Sequence, residues 1–231
     1  PADYKSFFIH DLELDSMDIS TGDFPIEQLS NAIIKSSMIE YACKIYDQEK
    51  NKIKPKPISA WFCPDILVAE ETKKQIERYK LNVELITAKT PIKERLEILK
   101  KHEEGVIECL VSVGVLSEGW DNPNCNIIVH LRPTLSKVFW GQSVGRGLRC
   151  AEDKEKCLVI DVSSNYTTFG PVEKLKWKLF NHGKSYLEFK NRFNWISKQK
   201  YVEDRKYTYL LCEGLNDDGR RCSLVYQKKL L

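Results

Sequence analysis

The chain has 231 residues, enough for one substantial hydrophobic core and a smaller unit. Its 36 Lys and Arg nearly balance its 33 Asp and Glu, so the net charge alone does not indicate a particular class of protein. The eight cysteines form no CxxC pair, and no signal peptide or membrane span is recognisable. These features argue against a secreted disulfide scaffold, and we expect reduced thiols in a cytoplasmic protein that does not bind a membrane.

The charges are distributed unevenly along the chain. Residues 1–30 hold seven carboxylates against Lys5, a net charge of −6, whereas residues 171–200 hold eight cations against two carboxylates, a net charge of +6. This asymmetry indicates an anionic partner at the basic end.

Residues 1–56 begin with an irregular acidic stretch. A helix is predicted over 26–46 from its apolar spacing, and the Lys-Pro-rich stretch 52–57 then breaks the chain. We expect a connector into the next domain here, and an independent helical appendage is the alternative.

Residues 57–165 alternate strands and helices in the order typical of a parallel sheet flanked by helices, an α/β fold. The helices are expected at 66–79, at 91–102 and at about 135–145. The strands are expected at 58–62, 83–86, 106–113, 127–131 and 158–162.

Residues 166–231 leave this pattern and are expected to form a small α+β accessory region. Lysines alternate with aromatic residues here, and Lys174, Lys176, Trp177 and Lys178 are candidates for holding a nucleic-acid strand by phosphate contact and base stacking. The alternative is a pair of amphipathic helices whose aromatic rings pack on the preceding domain while the lysines face water.

A hairpin is predicted near the C-terminal end of the chain. Strand-like runs at 207–211 and 223–226 flank the turn signal 216–219. Cys212 and Cys222 would then lie close together, which allows half a zinc site, although plain hairpin cysteines are favoured.

The run Gln142–Arg149 is the most informative stretch of the chain. Arg146 and Arg149 are three residues apart, so both can project from one face of a helix, next to glycines (Gly145 among them) that let another surface come close. Guanidinium groups keep their charge and offer a planar fork of donors that suits phosphate oxygens. A site that reads a triphosphate would need this geometry, and the alternative is a solvated charged face of the helix.

The segment 114–123 contains a second candidate site. Gly119 and Asp121 follow the apolar run 106–113, so we expect them just past the carboxyl end of a strand, where open α/β sheets bind ligands.

Together, the sequence Glu-Gly-Trp-Asp-Asn-Pro (118–123) and the pattern Gln142-x-x-Gly145-Arg146-x-x-Arg149 resemble motifs V and VI of superfamily 2 helicases and translocases, with a flavour closest to DEAD/DEAH-like and restriction-enzyme-type motors. The resemblance covers residues 57–165. It implies a second RecA-like motor domain, preceded in 1–56 by the tail of a first.

The resemblance also implies roles for the matching residues. Arg146 and Arg149 would be arginine fingers toward the γ-phosphate of ATP, and Gln142 would link their helix to the hydrolysis site. Gly119 and Asp121 would approach the nucleotide, and Ser112 would contact the nucleic-acid backbone. Because the family often has threonine where this chain has Val113, the hydroxyl contact departs from the family pattern.

The sequence lacks a Gly-x-x-x-x-Gly-Lys-Ser/Thr loop and an acidic DExx box. ATP and Mg²⁺ are therefore expected to be held mainly by a missing N-terminal RecA-like domain, without which this chain should not hydrolyse ATP. The expected partners are that domain and a nucleic acid, DNA more than RNA. Two alternatives stay open: a RecA-like binding module without hydrolysis, and the motor subunit of a restriction nuclease.

Overall fold

The computed structural model describes residues 2–6, 12, 14, 17–19, 22–117, 120–175, 201–204, 207–211 and 225–229. Its centre is a six-stranded parallel sheet with the order β1-β6-β5-β2-β4-β3. The strands are β1 (Ala2–Ser6), β2 (Ser59–Phe62), β3 (Val83–Ile86), β4 (Cys109–Ser112), β5 (Ile127–His130) and β6 (Cys157–Asp161). The α/β fold expected from the sequence is confirmed, with every predicted strand of residues 57–165 present.

The helices cover both faces of the sheet. They are α1 (Ile26–Lys35), α2 (Met38–Lys50), α3 (Ile66–Arg78), α4 (Ile92–Glu103), α5 (Lys137–Gly147) and the short α6 (Asn165–Phe169). Helices α1, α2 and α3 enclose one hydrophobic core, and α4 and α5 contribute to a second core on the opposite face.

Alternation along the strands explains why there are two cores. Trp61 of β2 packs into the first core and Phe62 into the second, because successive side chains of a strand point to opposite faces. Both rings are buried, with exposed fractions of 0% and 3%, so each belongs to a core.

The N-terminal region differs from the expectation in two ways. Where an irregular acidic stretch was expected, the strand β1 is hydrogen bonded in parallel to β6 as an edge of this same sheet. The single helix expected over 26–46 is divided, because the Ser36 hydroxyl donates to the Ile33 carbonyl and accepts from the Met38 amide. Serine side chains compete for helical backbone groups in this way. The first core is continuous across the predicted boundary at residue 56.

A second, antiparallel sheet has the order β7-β8-β9 and consists of β7 (Tyr201–Asp204), β8 (Tyr207–Leu211) and β9 (Val225–Lys229). The pairing of β8 with β9 confirms the predicted hairpin, with its second strand two to three residues later than expected. Cys212 and Cys222 lie outside the described residues. Within the described part of the chain, no helix is long and apolar enough to cross a membrane.

Candidate functional site: two arginines on a carbonyl loop

Helix α5 carries the first half of the site. Its first turn is capped by Ser136, whose hydroxyl accepts a hydrogen bond from the Phe139 amide at 3.2 Å. Trp140 and Val144 bury one face of the helix in the second core. Gln142 is exposed and Arg146 is partly buried, and their spacing of four residues puts them on neighbouring turns of the same helix face.

The two glycines of α5 have different surroundings. A Cβ atom at Gly147 would lie 2.5 Å from both the Cys157 sulfur and Ile128 Cγ1, whereas nothing lies within 4 Å of a Cβ atom at Gly145. Gly147 therefore lets the helix approach its own sheet. Gly145 is the glycine that leaves room for another surface.

The second half of the site is the 120–125 loop, the last part of the connection from β4 to β5. Sequence reasoning places Asp121 just past the carboxyl end of a strand, and the structure corrects this position. Trp120 and Asn122 both contact His102, and the Nε2 atom of His102 lies 3.1 Å from the carbonyl oxygen of Ser59. Because Ser59 is the first residue of β2, the 120–125 loop lies near the amino ends of the strands.

Arg146 and Arg149 converge on this loop. The Arg146 Nη1 donates to the Trp120 carbonyl oxygen at 2.6 Å, and the Arg149 Nη1 donates to the same oxygen at 3.1 Å. Arg149 also pairs with the Asp121 carboxylate. Arg149 lies just beyond the end of α5 rather than on it, so a shared acceptor and not a shared helix face brings the two guanidinium groups together.

Both charged groups of the Arg149–Asp121 pair remain accessible. The exposed fraction is 34% for the Arg149 side chain and 66% for Asp121. Surface pairs of this kind contribute little to stability because water screens them. A stronger anion can therefore replace Asp121 at Arg149 at small cost.

A series of hydrogen bonds between neutral polar groups holds the 120–125 loop in place. His102 is fully buried, and burial lowers its pKa to about 4, so the ring is neutral at pH 7. With the proton on Nε2, it donates to the Ser59 carbonyl, and Nδ1 accepts from the Asn122 amide at 3.1 Å. The Asn122 side-chain oxygen in turn accepts from the Asn124 backbone amide.

Lys154 fixes the same loop from the side. Its ammonium group donates to the carbonyls of Pro123 (2.9 Å), Cys125 (2.7 Å) and Arg149 (2.8 Å). Burial lowers the pKa of Lys154. Sequence reasoning missed His102, Asn122 and Lys154, since each acts through backbone or side-chain contacts that only the fold creates. The one available signal was Asn122 itself, which lies within the quoted motif.

The remaining predicted site residues are placed unevenly. Ser112 ends β4 with 1% of its surface exposed, and its hydroxyl accepts from the Leu116 amide, so it holds its own turn rather than presenting a free hydroxyl. Lys174 is exposed. Gly119, Lys176, Trp177 and Lys178 lie outside the described residues, and their expected roles stay predictions.

Comparison with known proteins identifies the class of this α/β domain. Residues 37–151 match the helicase conserved C-terminal domain. This segment is a helicase C-terminal domain, and it contributes four strands to a parallel six-stranded sheet of the α/β RecA-like kind.

The chain is also similar to individual proteins. The chain is 30% identical over 152 residues to the Saccharomyces cerevisiae protein named "Putative ATP-dependent helicase IRC3", and the match covers 65% of this chain and 22% of that protein. It is 24% identical over 183 residues to a 51.5 kDa protein of a Lactococcus phage, covering 79% of this chain and 39% of the phage protein. The chain therefore spans well under half the length of these relatives.

A solved structure shares the fold. A fragment described as a putative HsdR subunit of a type I restriction enzyme from Vibrio vulnificus superimposes with a TM-score of 0.55 at 20% identity, over 74% of this chain and 33% of that one. At this level of identity, the likeness extends to the fold alone.

The hydrogen-bond donors of the site suit an anion. Two guanidinium groups suit phosphate oxygens, but among the described residues no group of three or more His, Cys, Asp or Glu side chains could hold a metal ion.

Proposed function

We propose that this chain is the second motor lobe of an ATP-dependent DNA helicase or translocase. In this proposal, Arg146 and Arg149 contact the γ-phosphate of ATP that an N-terminal RecA-like lobe holds together with Mg²⁺. Gln142 and Gly145 face the closing cleft, and Asp121 and Gly119 approach the nucleotide beside the 120–125 loop.

The observation that carries the proposal is the shared acceptor at Trp120. A carbonyl oxygen carries no formal charge, so this contact orients both guanidinium groups without itself adding a counter-charge. Phosphoryl transfer depends on positioning and charge stabilisation more than on covalent chemistry. An arrangement that holds two cations in fixed directions supplies both.

The pair between Arg149 and Asp121 suggests how the lobe changes on closure. In the structure, Asp121 occupies the anion position at the Arg149 guanidinium. The γ-phosphate group carries more negative charge than a carboxylate and, like a carboxylate, can accept a bidentate pair of hydrogen bonds from arginine through two of its oxygens. Arg149 exchanges the carboxylate for the phosphate when the two lobes meet, and Asp121 is then released toward the nucleotide.

Substitution of the arginines tests this function in the protein that carries both lobes. We expect Arg146→Ala and Arg149→Ala each to lower the kcat of nucleic-acid-stimulated ATP hydrolysis by about 10³-fold or more, the range of an arginine finger. The KM for ATP should change little, because the other lobe holds most of the nucleotide.

Arg78→Ala is the matched control. Arg78 is an exposed arginine of α3 whose Nη1 donates to the neighbouring Gln75 side chain, so its loss removes the same charge from a remote surface. Its turnover should equal that of the unmodified protein. Near-normal turnover in Arg146→Ala and Arg149→Ala, with folding intact in both, would exclude the finger assignment.

A further inference from the structure

Lys154 is the point where the two halves of the site are joined through the backbone. It lies in the segment between α5 and β6, and its ammonium group has three N–H donors. All three are used, on the carbonyls of Pro123, Cys125 and Arg149 at 2.7–2.9 Å. Two of these carbonyls belong to the 120–125 loop, and the third belongs to a proposed finger residue.

These three bonds close a ring of contacts around the arginines. Arg149 is bound to the loop twice: its guanidinium reaches the Trp120 carbonyl, and its own carbonyl is tied through Lys154 to Pro123 and Cys125. Since charge-assisted hydrogen bonds are the stronger kind, Lys154 restrains the backbone of Arg149 more firmly than a neutral donor would.

A neighbouring lysine shows that this arrangement is particular to position 154. Lys156 has the same charge two residues later, yet its ammonium group pairs with Asp3 of β1 at 2.9 Å and is largely exposed. Lys154 thus connects the two arginine-bearing segments, whereas Lys156 fastens an edge strand.

We propose that Lys154 is a positioning residue for ATP hydrolysis, which sets the backbone of Arg149 relative to the 120–125 loop so that both guanidinium groups reach the phosphate together. This inference rests on the proposed function. It assigns Lys154 no contact with the nucleotide, and its action passes through Arg149.

The geometry also explains why lysine is suited to this position. Three carbonyl oxygens converge on one point, which matches the compact ammonium group with its three donors. The planar guanidinium of an arginine directs its donors as a fork and cannot reproduce a convergent set. Lys154→Arg should therefore keep the charge but displace the Arg149 backbone.

The test measures single-turnover ATP hydrolysis in the protein that carries both lobes. We expect Lys154→Met, which keeps the apolar stem, to lower the rate by about 10- to 100-fold, as small misplacements of catalytic groups do. Lys154→Arg should give a smaller loss with an unchanged melting temperature, so that a defect in folding is separated from a defect in positioning. Lys156→Met, the matched control, should hydrolyse ATP at the normal rate.

A double-mutant cycle with Arg149→Ala decides the route of action. If Lys154 acts through Arg149, adding Lys154→Met to Arg149→Ala causes no further loss. An equal loss in both backgrounds, or a normal rate in Lys154→Met and Lys154→Arg alone, would overturn the inference while the fingers stand. A normal rate in Arg149→Ala would instead contradict the proposed function itself.

Discussion

His102 shows how a residue remote from the arginines determines the shape of their site. The ring is buried between the start of β2 and the 120–125 loop, and both nitrogens have partners only when one proton is present. Burial lowers the pKa of His102 to about 4 and that of His130 to about 3, because desolvation disfavours the charged imidazolium. Both rings stay neutral in the folded lobe near neutral pH.

This burial predicts a dependence of stability on pH. Between pH 6.5 and about 4, the unfolded chain binds a proton at position 102 that the folded chain does not, so the free energy of unfolding falls as the pH falls. His130 adds a loss of the same sign, whereas Asp161, whose pKa is raised by burial, opposes it. Above pH 6.5 the histidine contributions vanish.

Urea unfolding of His102→Gln and the unmodified chain at pH 6 and pH 5 isolates the His102 contribution. The glutamine variant should be less stable than the unmodified chain at both pH values. From pH 6 to pH 5, however, its free energy of unfolding should fall by about 1 kcal/mol less than that of the unmodified chain. The other titrating groups cancel in the comparison. Equal pH slopes for the two chains would show that His102 binds the same number of protons in the folded and unfolded states, which contradicts a lowered pKa.

At the scale of elements, the seating of α5 on the sheet decides where Arg146 lies. Gly147 permits contact with Cys157 and Ile128 at the amino end of β6 and near the start of β5. Interiors are packed closely enough that one added methyl group must displace a neighbour. The helix and its arginine would then move away from the loop.

Replacing each of the two glycines of α5 by alanine distinguishes the contact of this helix with its own sheet from its contact with the proposed nucleotide cleft. Gly147→Ala should destabilise the lobe by about 1–3 kcal/mol through overpacking. Gly145→Ala should leave stability equal or up to about 1 kcal/mol higher, since alanine favours helix and the site is open. Chemical denaturation of both variants measures this difference, and equal stabilities would contradict the assigned packing.

Loss of ATP hydrolysis in a fully stable Gly145→Ala variant would then point to a surface that approaches from outside. Retention of normal hydrolysis would remove Gly145 from the nucleotide cleft while leaving the packing of Gly147 unaffected.

Sequence patterns predicted the elements whose signal is local. The span Val83–Ile86 of β3 agrees with its prediction, and α3, α4 and α5 agree within about two residues, because hydrophobic period and flanking proline or serine determine them. Strand β1 was missed, since its five residues form an edge strand only by pairing with β6, more than a hundred residues later. The contacts of Lys154 were missed for the same reason.

The sequence predicts those parts of the candidate site that depend on the type and spacing of charged residues. Arginines 146 and 149 stand out in any reading because their type and spacing match an anion. Their common acceptor could not be foreseen, because a backbone carbonyl has no signature in the sequence and Arg149 lies beyond the end of the helix.

At the scale of the whole molecule, the charge asymmetry of the chain suggests where a nucleic acid binds. The strongly basic stretch 171–200 begins with the exposed Lys174, directly after the sheet and its last helices. We propose that Lys174, Lys176, Lys178 and Trp177 contact the strand on which the motor moves. The competing interpretation, a solvated face above packed aromatic rings, makes the opposite prediction for salt.

Neutralising the three lysines to glutamine tests the nucleic-acid contact. Each contact to a single strand contributes about 0.7 to the slope of log affinity against log salt, so the slope should become shallower by about 2. Lys52, Lys54 and Lys74, all exposed, give a charge-matched control variant that should keep the original slope. Unchanged affinity and slope in the first variant would favour the solvated face.

The central claim is that two cations of this lobe stabilise the transferring phosphate held by another. The most direct measurement is the affinity of the two-lobe protein for ADP–aluminium fluoride, a mimic of the transferring group, relative to its affinity for ADP. We predict that Arg146→Ala and Arg149→Ala each lose about 10³-fold in this ratio while ADP itself binds normally. A ratio equal to that of the unmodified protein in both variants would contradict the account.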